Sequence, residues 1–93
     1  MASSRAADPS ALARRPTEST LAWAHRLASS AEELHEHGKF GQAATHFEAA
    51  SDAYISATLD TSDTHNMQSL RLLASAHANR AHELRLRMRL HGV

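Results

Sequence analysis

Eight histidines stand in a chain of 93 residues, beside ten carboxylates and ten Lys and Arg side chains. Imidazole with carboxylate is the donor set of zinc and di-iron centres. Glu32-x-x-His35 has the spacing of half a di-iron site, which also needs a second Glu-x-x-His and two further inward carboxylates. The chain has no second Glu-x-x-His. His35 and His37 are separated by about 200° around a helix, so they cannot share one metal ion without distortion. With no cysteine, thiolate sites and disulfides are excluded. Serines and histidines coexist, but no nucleophile elbow and no glycine-rich phosphate loop is present. The expectation is therefore no catalytic residue, no metal and no cofactor. The histidines are read as surface groups, with His77 partly buried and satisfied by a polar neighbour.

The arginines are the second candidate. Net charge is zero, yet it is unevenly spread: +2 over residues 1–15, −6 over 16–63 and +4 over 64–93. Arg80, Arg85, Arg87 and Arg89 crowd the end of the chain. Arginine clusters bind nucleic-acid phosphate, but here no aromatic interleaves with them and the overall charge is neutral, so no nucleic-acid partner is expected. Pairing with Glu32, Glu33 or Glu36 accounts for part of the cluster. What remains is a basic strip suited to an acidic partner or an acidic membrane surface.

Positioning these groups falls to helices. Ala, Leu and charged residues dominate, with three glycines and two prolines, a composition that favours helix over sheet. No apolar run approaches the roughly 20 residues of a membrane span, and the lack of cysteine fits a reducing, cytoplasmic setting. Residues 1–16, broken by Pro9 and Pro16, are expected to be a flexible tail. The remainder, 17–92, is expected to be a single all-α domain, an antiparallel three-helix bundle.

The first helix is predicted over about 18–37, capped by Thr17 or Ser19. Its inner stripe is Leu21, Ala24, Leu27 or Ala28, Ala31 and Leu34, and Gly38 supplies the left-handed stop. The second runs from about 39 to 59, with Phe40, Ala43, Ala44, Phe47, Ala50, Tyr54 and Ala57 inward. Asp60-Thr61-Ser62-Asp63 reverses the chain. The third spans about 63–90, with Gly92 past its end and Met67, Leu70, Leu73 or Ala74, His77, Ala81, Leu84 and Met88 inward. Leu72, Leu86 and Leu90 fall outside that stripe, and the last turns should project beyond the neighbouring helices. Trp23, off the inner stripe of the first helix, is expected to cover the bundle edge, the alternative being an anchor for a partner.

Gly38-Lys39-Phe40-x-x-Ala43-x-x-x-Phe47-x-x-Ala50 resembles the helical hairpin shared by tetratricopeptide repeats and MIT (microtubule-interacting and trafficking) domains. A tetratricopeptide array would repeat at about 34 residues, and no such repeat is present. Arg80-Ala81-His82-Glu83-Leu84 is similar instead to the end of an MIT third helix. Within that family, Leu21-Ala22-x-Ala24-His25 and Ser69-Leu70-x-Leu72-Leu73 resemble the branch of nuclear receptor-binding factor two and its fungal autophagy counterparts, regulators of the autophagy phosphatidylinositol 3-kinase complex. The resemblance implies a non-catalytic adaptor that takes a helical or extended peptide between helices, often the second and third. It also implies recruitment to endosomal or autophagic membranes.

The groove residues so implied are Leu73, Ala76, Asn79, Arg80, Glu83 and Arg87 on the third helix, facing Ala49, Asp52, Ala53 and Ser56 on the second. The third helix carries His77, Ala78 and Asn79 where the family usually has Tyr, Leu and an acid. The occupant expected for this basic groove is therefore an acidic amphipathic segment. The alternative is a homo-oligomer sealed through Leu72, Leu86 and Leu90.

Overall fold

The computed structural model describes residues 9–91; residues 1–8 of the expected tail, and Gly92, lie outside the described residues. A short 3₁₀ turn, Pro9–Leu12, precedes helix α1, Thr20–Glu36. Helix α2 is Phe40–Ala57, extended by a 3₁₀ turn Thr58–Asp60, and helix α3 is Thr64–Leu90. The three pack antiparallel, as the stripes predict, and α3 is continuous over 27 residues.

Local chemistry explains the ends. Ser19 caps α1, its Oγ accepting from the Ala22 N–H at 3.1 Å. Gly38 adopts φ +75, the left-handed conformation that lets the chain turn from α1 into α2 within three residues. Asp63 caps α3 by accepting from the His65 N–H at 2.9 Å, and Arg87 and Arg89 stand in its last turn, where the helix dipole favours cations.

The core sits on both sides of α2. One cluster joins Ala24 and Leu27 of α1 to Ala50, Ala53 and Tyr54 of α2 and Ala74 of α3. The other joins Ala31 to Ala43, Ala44, Phe47, Ala81 and Leu84. Among the described residues nine of the thirteen buried apolar side chains are alanines, so helix axes approach closely and bulk comes from Leu27, Phe47, Tyr54 and Leu84. Helix α2 therefore serves as the shared spine, while α1 and α3 barely meet one another.

Two inward assignments change. Phe40 and Leu21 are 40% and 41% exposed, because the space between α1 and α3 that they border is open; of the pair Leu73 or Ala74, Ala74 is the buried one. His46 and Ser51, which no apolar pattern marks, are buried; the His46 ring is held by Nδ1 at 2.9 Å from the Gln42 carbonyl. The excess length of α3 is at its beginning. A Cβ on Gly41 would sit 3.4 Å from Met88 Cε, so α2 starts level with Met88 and, running antiparallel, ends near the level of Leu72. Only the last turn passes Phe40.

Residues 9–18, of which the sequence places 9–16 in a flexible tail, lie along α1. The Trp23 indole N–H donates to the Leu12 carbonyl at 2.8 Å, and both side chains cover the first cluster. Arg26 donates to the carbonyls of Ala11 and Ala13, each at 2.9 Å. It also grips Glu18 with both Nε, at 2.7 Å, and Nη2, at 3.0 Å.

Candidate functional site

Because α1 and α3 flank α2 without closing on each other, a cleft runs between them with α2 as its floor. Phe47 and Tyr54, seven residues apart and so on one face of α2, lie under the middle of the cleft, buried by the side chains that cross it. The Tyr54 hydroxyl lies 2.7 Å from His25 Nδ1. Burial pushes the phenol pKa up, so the hydroxyl keeps its proton and can donate to the imidazole. From the other wall His77 leans over both rings, 5.3 Å from Tyr54 and 5.8 Å from Phe47 between centroids. Its Nδ1 is 2.7 Å from the Leu73 carbonyl. The Arg80 guanidinium stacks 4.7 Å from the Phe47 centroid and reaches across to Glu32 at 3.1 Å. These contacts are side-chain bridges over a gap that the backbones leave open.

Beyond Arg80 the cleft widens. His35, Arg80, Glu83, Leu84 and Arg87 line one depression. Phe40, Leu84, Arg87, Met88 and His91 line the next, of about 340 Å³, between the start of α2 and the end of α3. His35 meets the Phe40 ring edge-on at 5.5 Å, and Leu84 and Arg87 belong to both depressions. The result is a nearly apolar hollow with a guanidinium on its rim. Arg87 makes no ion pair among the described residues, whereas Arg26, Arg80 and Arg85 are paired. Such a hollow can seat an apolar side chain while Arg87 meets a neighbouring carboxylate.

The ten residues assigned to a groove between the second and third helices do not share one surface. Arg80 and Arg87 face α1 across the cleft and Glu83 stands on its outer rim, with half-exposed Leu73 further along the same side. Ala76 and Asn79 are exposed and turn further outward. On α2, Ala53 is buried against Ala24 and Leu27, and Ala49 packs on the same cluster. Ser56 is exposed and lies about 200° around the helix from Tyr54. Asp52 is exposed seven residues after Thr45, whose Oγ1 accepts from Arg85 at 3.5 Å, so it follows the outer edge of the α2–α3 contact. Arg85 also pairs with Glu48 on that edge.

Two features have little signal in the sequence. The openness of the α1–α3 side depends on how far apart two helices settle, which no stripe records. The Arg26–Glu18 grip joins residues eight apart across a helix start, outside the three- and four-residue spacings by which charge pairs are read.

Among the described residues no three His, Asp or Glu side chains are grouped to hold a metal ion. No helix there is long and apolar enough to cross a membrane. The fold and cleft define a small three-helix all-α domain. Comparison with family models, with curated proteins and with solved structures finds no match for the chain.

Proposed function

We propose that this domain is a non-catalytic docking module that receives an acidic amphipathic segment of a partner protein in the α1–α3 cleft. The observation that carries the reading is the apolar hollow of Phe40, Leu84 and Met88 with the unpaired Arg87 at its edge. An apolar anchor would fill the hollow, and an acidic neighbour would pair with Arg87, a combination that gives both affinity and orientation. The MIT resemblance of residues 38–50 and 80–84 supports the same class of activity. It favours a regulatory adaptor in autophagy, attached to the phosphatidylinositol 3-kinase complex, or in endosomal sorting.

The test is a titration of the isotope-labelled chain with a synthetic acidic peptide carrying two leucines one helical turn apart. Amide shifts are expected at His35, Phe40, Leu84 and Arg87, and are expected to vanish in Arg87→Glu and Phe40→Asp. Shifts confined to Trp23, Ala49 and Ala53 would sink the assignment.

A further inference from the structure

The outward face of α3 carries a second surface. Leu72, Leu86 and Leu90 are 72%, 43% and 76% exposed, and Ala76, Asn79 and Glu83 between them are exposed too. Leu72 and Leu90 are eighteen residues apart, five full turns, so they lie on one line about 27 Å long. The positions 72, 76, 79, 83, 86 and 90 alternate by four and three, the spacing of a coiled-coil seam. Leucine occupies three of them and Asn79 stands near the middle. A lone asparagine in such a seam fixes register and strand number at some cost in stability.

We infer that this face docks an acidic amphipathic helix, side by side with α3, through leucines that do not line the cleft. Charge selects that occupant. The seam is flanked by Arg80 and Arg87 on one side and by His82 and Arg89 on the other. Arg71, Arg87 and Arg89 have no ion pair among the described residues. A partner helix with Glu at its flanking positions would neutralise them.

A second copy of this chain would not. Parallel self-pairing sets Glu83 on Glu83 and basic flanks together. Antiparallel pairing seats Leu72 on Leu90 and Asn79 on Glu83, but it offers no carboxylate to Arg71, Arg87 or Arg89. A lipid surface is also a poor fit, since lying on the bilayer would press Asn79 and Glu83 into the acyl boundary along with the leucines. A helix can instead place an asparagine opposite Asn79 and a lysine opposite Glu83.

The probe is a labelled synthetic 28-residue helix with Leu and Ile on the seam, Asn and Lys opposite Asn79 and Glu83, and Glu at all flanking positions. Titration with the full chain should give saturable one-to-one binding. Exchanging the flanking Glu for Lys should weaken it at least about tenfold, and so should Leu72→Asp with Leu86→Asp. Those two positions are solvent-facing, so circular dichroism should show an unchanged fold. Phe40→Asp, in the cleft, should leave this binding intact.

Several results would overturn the inference. One is indifference to Leu72→Asp with Leu86→Asp. Another is preference for the Lys-flanked helix. A third is concentration-dependent dimerisation abolished by those substitutions. The last is stronger retention on phosphatidylserine vesicles than on the peptide. Loss of binding in Phe40→Asp alone would assign the peptide to the cleft, ending this inference while sparing the proposed function.

Discussion

Replacing Arg26 by alanine tests whether residues 9–18 form part of the domain. Arg26 supplies two hydrogen bonds to backbone carbonyls and a two-pronged grip on Glu18. Charge-assisted bonds of this kind contribute about 1.5–3 kcal/mol each when shielded. Here the side chain keeps 21% of its exposure, so solvent competition reduces the set to about 2 kcal/mol in total. That amount is lost from the local opening of the segment, not from the three-helix core, which Arg26 does not enter.

Opening exposes the bond after Arg14, a trypsin site; Pro16 protects the bond after Arg15. A loss of about 2 kcal/mol predicts cleavage after Arg14 faster by roughly 30-fold, with a small change in Tm. Trp23 fluorescence should shift to the red as Leu12 leaves. Arg26→Lys should behave almost like alanine, because one ammonium cannot span two carbonyls and both carboxylate oxygens. Equal cleavage rates in wild type and Arg26→Ala would show that the segment is held by something else.

Glu18 links the same grip to pH. Its carboxyl is held at about 2, against 4.5 for the free group, chiefly by the Arg26 side chain and next by the Arg15 N–H. A lowered pKa means stability fully present above about pH 4.5 and lost as pH falls toward 2; Trp23 fluorescence should trace that loss, and Glu18→Gln should flatten it. Phe47→Ala should cost about 3–5 kcal/mol in urea unfolding, a large share of the roughly 5–15 kcal/mol that domains possess, because Phe47 is fully buried under His77 and Arg80. Gly38→Ala should cost about 1 kcal/mol through its positive φ alone, since nothing lies within 4 Å of the added Cβ. The same measurement on Gly38→Asn should show a smaller loss.

The helices were legible because their signals are local. Ser19, Gly38 and Asp63 mark boundaries to within a residue or two, and alanines at three- and four-residue spacing mark the buried faces. Which helices touch is a different matter. The stripe through Phe40, Tyr54, Leu73 and His77 reads as core on any helical wheel, yet part of it borders open space. A stripe gives direction but not the distance of a neighbour. The groove assignment divided for the same reason. Residues such as Ala49 and Ala53 share an angular sector that faces α1, while Arg80 and Arg87 point to the cleft. The tail reading turned on two prolines, which break helices without preventing Trp23 and Arg26 from gathering the chain around them.

The alanine-rich spine sets how this domain can vary. Alanine has no rotamers to freeze, so packing five of them inward from α2, and four more from its neighbours, orders little side-chain freedom. It also leaves no slack: a valine or leucine at Ala43, Ala44 or Ala50 would have no side-chain motion through which to be absorbed, and would have to lever an entire helix away. Substitution by glycine would fail in the opposite way, by loosening the backbone. Sequence drift in α2 is thereby confined to its wet side, around Thr45, Asp52 and Ser56, while the flanking helices are free to change their outer faces and so acquire new binding preferences on an unchanging axle.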